Sequence, residues 1–255
     1  MGVSMLLRAV NFPILLGSVF FLSANLFADV VFRDTFTAQN GTILNGRTPE
    51  VGKAWEDNSG LTIQSGAVDT SGAYNSTSAY GFFADGLTLS SGQTLQLSFD
   101  TLTPTNQNFF ASGRWAGISL FSGSDEKFII GKISSLTGWG IGDYSTNTTG
   151  LVPGIGTAPA DAAQSVQFTY AYDTGAWILT VGGSSISGFA HTGLAIDRVR
   201  IGSDGYNYAD IAVTKIEADI TSLPEPATSA AVFSGLLLFA LTRARQRRLR
   251  QAPRG

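Results

Sequence analysis

Cysteine is absent from the 255 residues. A disulfide framework, a thiolate metal site and a cysteine nucleophile are excluded, so a hydrophobic core has to supply the stability. Histidine occurs once, as His191, and a zinc cluster of the usual kind cannot be assembled from it. A Ser-His-Asp triad would have to use His191. The surrounding "GFAHTG" offers no Gly-x-Ser-x-Gly elbow, and the residue reads as an ordinary loop histidine. Charge is scarce at 14% and unevenly placed. Between Asp29 and Ser222 stand nine Lys/Arg against eighteen Asp/Glu, a net of −9. Arg243, Arg245, Arg247, Arg248, Arg250 and Arg254 put six of the sixteen basic residues in the last thirteen positions. An acidic body is a poor partner for nucleic acid, whose phosphates need clustered Lys/Arg. No nucleic-acid role is expected.

Apolar spacing of 3.6 is not sustained over three turns anywhere in the body, whereas alternation with a period of two recurs throughout. In "QTLQLSF" Leu95, Leu97 and Phe99 face one way; in "SVQFTYAY" Val166, Phe168, Tyr170 and Tyr172 do the same. "DTG" then turns the chain into "AWILTV", which predicts a β-hairpin. Further strands are predicted at Val30–Phe36, Leu61–Val68, Ala79–Phe83, Trp115–Phe121, Lys127–Ile133, Arg198–Gly202 and Ile211–Glu217. With 30 glycines and 44% hydrophobic residues, ten or so strands joined by polar turns predict an all-β chain, an antiparallel β-sandwich over residues 29–220. That section is expected to fold alone as a mainly β monomer.

The two ends have a different character. Residues 1–28 place Arg8 ahead of an apolar run from Val10 to Leu22, with Ala28 before Asp29. This is the layout of a secretory signal peptide, cleaved after Ala28 or alternatively Ala24. Residues 221–255 contain Pro224-Glu225-Pro226, fifteen uncharged residues from Ala227 to Leu241, and then the arginines. As a helix, 227–241 would reach about 22 Å, short of the roughly 30 Å hydrocarbon core unless the arginines snorkel. Arg243, Arg245, Arg247, Arg248 and Arg250 would stay on the cytoplasmic side and leave the acidic body outside.

The triplet, apolar segment and arginines, in that order, resemble the PEP-CTERM sorting signal of Gram-negative bacteria that make exopolysaccharide. The resemblance covers residues 222–250. It implies that Pro224, Glu225 and Pro226 are recognised by an exosortase-type processing enzyme, that the arginines stop transfer, and that the tail is removed. The destination it implies is the cell surface or extracellular matrix after transient anchoring in the inner membrane. In the body, "FRDTF", "LNGRTPEVGKAW", "YDTGAWILTV" and "IDRVRIGSDG…ADIAVTKI" resemble concanavalin A-like (laminin G-like) jelly rolls. That fold serves lectins, glucanases and inert spacers alike.

A jelly-roll glycosidase needs two carboxylates close together on one face. The Glu-x-Asp-x-x-Glu pattern of jelly-roll glucanases is absent. Of the close pairs, Glu56-Asp57 and Asp125-Glu126 occupy adjacent positions that point to opposite faces, and both read as solvated turns. Catalytic residues are therefore not assigned, and a non-enzymatic role is expected. A secreted glycan hydrolase with another site is the alternative. Trp115, Trp139, Tyr144, Tyr206 and Tyr208 are candidates for stacking on sugar rings, although core or edge packing is the more frequent use of such residues. No cofactor is expected, with calcium the one candidate: "GSDGYNYAD" offers oxygen ligands in Asp204, Asn207 and Asp210, against the plainer reading of an Asp-Gly turn. The Asn-x-Ser/Thr sequons at Asn40, Asn75 and Asn147 are what chance gives in so Asn/Ser/Thr-rich a chain. The expected partners are the processing enzyme, the inner membrane and extracellular polysaccharide.

Overall fold

The computed structural model describes residues 28–222, apart from 58, 72–76, 85–86, 104, 106–113, 134–135, 137, 154–162 and 205–208. Pro224 to Pro226, the 227–241 segment and the arginine tail lie outside them, as do residues 1–27. Among the described residues every regular element is a strand.

Two antiparallel sheets form. The nine-stranded sheet runs β14 (Ser184–Phe189), β13 (Ala176–Val181), β12 (Ser165–Ala171), β7 (Gln93–Leu102), β16 (Ala212–Ser222), β5 (Ala67–Asp69), β4 (Thr62–Gln64), β2 (Thr42–Ile43). Its ninth strand, β1 (Ala28–Asp34), also pairs with β16. The eleven residues of β16 carry β7 along one side, and β5 followed by β1 along the other. The seven-stranded sheet runs β11 (Thr148–Leu151), β10 (Trp139–Asp143), β9 (Asp125–Lys132), β8 (Ala116–Ser122), β15 (Arg198–Ser203), β6 (Thr77–Phe82), β3 (Glu56–Asp57). The chain crosses between the sheets repeatedly, as from β6 to β7, β7 to β8, β14 to β15 and β15 to β16.

Alternation explains the layering. Leu95, Leu97 and Phe99 of β7 and Val166, Phe168 and Tyr170 of β12 are each at most 1% exposed. They meet Ile118, Leu120, Phe128, Ile130, Trp139 and Ile141 of the other sheet in one core. Rings make the contact across the sandwich: Phe99 to Trp139 at 6.3 Å, Phe128 to Phe168 at 5.0 Å and Phe128 to Tyr170 at 5.4 Å. The expected antiparallel β-sandwich is thus formed, with more strands than the ten or so expected.

Some expectations are corrected. Leu61–Val68 is not one strand but the β4–β5 hairpin, because Ser65 (φ 52°) and Gly66 (φ 75°) both adopt left-handed backbone between them. That is the conformation of a two-residue hairpin turn of type I′. Glu56-Asp57 is not a solvated turn pair. Glu56 is exposed, whereas Asp57 is 4% exposed and accepts hydrogen bonds from the N–H groups of Ser59 (2.7 Å) and Leu61 (2.6 Å).

The motifs "FRDTF" and "LNGRTPEVGKAW" converge on a single buried carboxylate. Asp34, 0% exposed, accepts from the Trp55 indole Nε1 (2.6 Å), the Phe36 N–H (2.9 Å) and the Arg47 guanidinium. Phe32 packs edge-on against Trp55 with centroids 5.2 Å apart.

Candidate functional site

On the seven-stranded sheet, residues alternating with the core-facing set point outward. In β15 these are Arg198, Arg200 and Gly202, since Val199 and Ile201 are fully buried. Register aligns Arg200 with Ser119 of β8 and Tyr80 of β6, and Arg198 with Phe121 and Phe82. Cross-strand neighbours on one face touch, so two arginines become interleaved with aromatic rings. Arg198 Cζ lies 4.7 Å from the Phe82 centroid; Arg200 Cζ lies 4.6 Å from Trp115 and 5.1 Å from Phe121. Tyr80 meets Phe121 edge-on at 5.5 Å.

Arg200 is the hub of this face. Its Nη2 donates to Ser119 Oγ at 2.8 Å and to Glu126 Oε1, and Glu126 stands on β9 opposite Phe121. The arginine side chain is 11% exposed and the glutamate 24%, so the pair is mostly removed from water and fixed in orientation. Tyr144, half exposed, follows β10. Burial raises its phenol pKa, the Glu126 carboxylate raises it further, and Arg200 opposes both. The Tyr144 ring stands over Gly142 on the same outward face, where a Cβ at 142 would lie 3.9 Å from Tyr144 Cζ.

Trp115 precedes β8 and is half-buried. Its backbone is clamped by Asp204: the Trp115 N–H donates to the carboxylate (3.3 Å) and the Asp204 N–H to the Trp115 carbonyl (3.0 Å). The ring reaches over Gly202, where a Cβ would come within 2.8 Å of Trp115 Cη2. A side chain at 202 would therefore push the indole off the sheet.

The sequence-derived candidates separate accordingly. Trp115 stacks on Arg200, and Tyr144 lies on the same outward face over Gly142. Trp139 is corrected to a core residue: 0% exposed and stacked on Phe99, it offers no face to a ligand. Its strand, β10, is buried at all five positions, so alternation could not assign it a side. Tyr206, Tyr208 and Asn207 lie outside the described residues. Asp210 is fully buried and Asp204 holds the Trp115 backbone; among the described residues no group of three acidic, His or Cys side chains that could hold a metal comes together. His191 sits in an exposed loop, its carbonyl accepting from the Tyr170 hydroxyl at 2.6 Å. Arg200 and Glu126 were missed. The available signal was "RVRIG", where alternation puts both arginines on one face.

Two carboxylates of this face, Glu56 and Glu126, are too far apart to cooperate. Glu56 and Glu126 stand on β3 and β9, four strand spacings apart, or about 19 Å at roughly 4.8 Å each. Glycosidase pairs need roughly 5–9.5 Å. A closer pair lies on the opposite side of the molecule. Glu217 and Asp219 alternate on β16 with the buried Ile216, Ala218 and Ile220, so both face outward, at a spacing the sequence reading passed over. Glu217 is engaged by Arg33 Nε at 2.6 Å and Lys215 Nζ at 3.4 Å.

No protein-family model and no curated protein matches the chain in sequence. Solved structures that resemble it include the Lotus tetragonolobus seed lectin, at 10% identity and a TM-score of 0.46 over 76% of this chain and 100% of that one. Peanut lectin is 12% identical with a TM-score of 0.46, over 78% of this chain and 99% of its own. The GlcNAcα1-4Gal-releasing endo-β-galactosidase from Clostridium perfringens is 10% identical with a TM-score of 0.40, over 75% and 62%. At these scores the likeness carries no weight of its own, and the fold rests on strand order, register and the shared core.

Proposed function

We propose that this chain is a non-catalytic, exported protein of the cell envelope or exopolysaccharide matrix whose sandwich contacts carbohydrate. One observation supports the reading above the others: the outer-face cluster of Trp115, Arg200, Glu126 and Tyr144. A polyhydroxylated ring needs an aromatic surface for its C–H face, and planar charged groups that exchange paired hydrogen bonds with its hydroxyls. The cluster supplies both, with its arginine and glutamate on β15 and β9 and its aromatic rings on the residues flanking β8 and β10. Export by the N-terminal signal and sorting through Pro224-Glu225-Pro226 by an exosortase-type enzyme belong to the same proposal, supported by the order of motifs at the two ends. A glycan array probed with the full chain tests it. Binding to at least one polysaccharide is expected, weakened about tenfold by Trp115→Ala. An array without signal, or binding indifferent to Trp115, overturns it.

The alternative, a secreted glycan hydrolase, is favoured by one observation. The Arg33 hydrogen bond holds the Glu217 carboxyl below the usual carboxylate range, although burial opposes it; burial and the Glu217 charge push Asp219 above that range. Carboxylates with pKa values driven apart are the pattern of an acid and a base. Polysaccharide hydrolysis abolished by Glu217→Gln or Asp219→Asn would establish this reading in place of the first.

A further inference from the structure

Both sheets end on the same side of the sandwich, one at β11 and the other at β14. Between these edges lies a cleft of about 420 Å³, within the range of small-ligand sites. We propose that this cleft is a separate binding site for a neutral pyranoside.

The argument starts from Trp177. This side chain is 7% exposed, lines the cleft, and its Nε1 has no hydrogen-bond partner among the described residues. A buried donor left unpaired costs about 1–3 kcal/mol, and native folds rarely tolerate it without a use. Its cross-strand partner is Gly188, where a Cβ would stand 2.4 Å from Cζ2 and 2.8 Å from Cε2, the carbon bonded to Nε1. Glycine at 188 therefore lets the indole lie directly against the β14 backbone. Phe189, next along the strand, is 73% exposed and also lines the cleft. Register sets Phe189 beside Ala176, on the face of β14 opposite to Gly188 and Trp177, so it stands at the rim of the cleft.

Charge decides the class of ligand. Asp143 is the one ionisable residue among the described residues lining the cleft, and its carboxylate is already engaged. One oxygen accepts from the Ser145 N–H (2.9 Å) and hydroxyl (2.6 Å), and the other from the Thr146 hydroxyl (2.8 Å). The remaining polar lining is hydroxyl groups, from Thr148, Thr149 and Ser187. A ligand matching an indole with an unpaired N–H, a phenyl ring at the rim, hydroxyls and no free charge among the described lining residues is uncharged, with an apolar face and several oxygens. A pyranoside has that chemistry. The site shares no side chain with the outer-face cluster and does not depend on it.

Saturation-transfer NMR on the purified full chain tests the proposal, with the methyl glycosides of glucose, galactose, mannose and N-acetylglucosamine as probes. At least one probe is expected to receive saturation, chiefly on its ring C–H protons. Phe189→Ala, at an exposed position that the core does not need, should reduce the effect about fivefold or more. Trp177→Phe, which keeps a ring but removes the N–H, should weaken binding about threefold to tenfold. Trp115→Ala should leave the cleft signal unchanged. The proposal is overturned if none of the four probes is saturated, or if the signal survives Phe189→Ala and disappears with Trp115→Ala, which would assign it to the outer face alone.

Discussion

Asp34 illustrates what a single side chain can hold together. Its carboxylate joins β1 to the loop bearing Arg47 and Trp55, and it is fully buried while Arg47 is 15% exposed. Removing one partner of such a pair strands the other charge, which costs about 3–5 kcal/mol. Asp34→Ala is therefore expected to lower unfolding free energy by about that amount, read from the midpoint of denaturant unfolding at unchanged slope. A loss below about 1 kcal/mol would show that the cluster does not organise this end of the core. At this scale the sequence was only partly legible. The motifs holding Asp34, Arg47 and Trp55 stood out as a pattern, but nothing in them shows that the three side chains meet. Trp115 and Trp139 make the same point in reverse. Both lie near strand ends, yet one flanks a sheet with an open face and the other sits in a strand buried on both sides.

Among the elements, β16 makes the most specific statement about pH. Glu217 has a folded pKa below its unfolded one, because Arg33 donates to it; its contribution is present above the unfolded pKa and is lost as pH falls through the folded value. Asp219 has the opposite shift, raised by burial and by Glu217, so its ionised form costs stability above its folded pKa and that cost is relieved as pH falls through it. Lowering the pH from neutral should first raise the melting temperature slightly, then lower it once Glu217 protonates below the usual carboxylate range. Thermal unfolding across pH checks this: Asp219→Asn should remove the initial rise, and Glu217→Gln should flatten the acid-side fall. A profile unchanged in both variants would contradict the assignment. The strands themselves were legible where one face was polar. Alternation located β7, β12 and β13 because Thr, Gln and Ser separate their buried residues. It missed β10, built as Trp-Gly-Ile-Gly-Asp with glycines where polar residues would stand, and β14, whose Ser-rich face reads as a loop. The β13–β14 turn was nevertheless signalled by Gly182-Gly183, both left-handed at φ 54° and 89°.

For the whole molecule, the pairing of β1 with β16 fixes where the two flanking segments are attached. Ala28 is opposite Thr221, so residues 1–27 and 223–255 join the sandwich side by side at one end. The Ala84 N–H donates to the Val31 carbonyl at 2.9 Å, which sets the end of β6 beside the middle of β1. β15 begins opposite that end, with Arg198 against Phe82, and runs away from it to Ser203, near Trp115. Trp115 therefore stands about 17 Å along β15 from the level of Arg198 and Phe82, at roughly 3.3 Å per residue. If Pro224-Glu225-Pro226 is the processing signal proposed above, replacing all three with alanine should leave a longer, membrane-retained protein in the native host. Deleting residues 227–255 should instead release the body unanchored. Mass spectrometry of surface-exposed protein decides between processing and permanent anchoring. A C-terminus upstream of Ala227 is expected, whereas surface material still ending at Gly255 would mean that the segment stays as an anchor and that the sorting proposal fails.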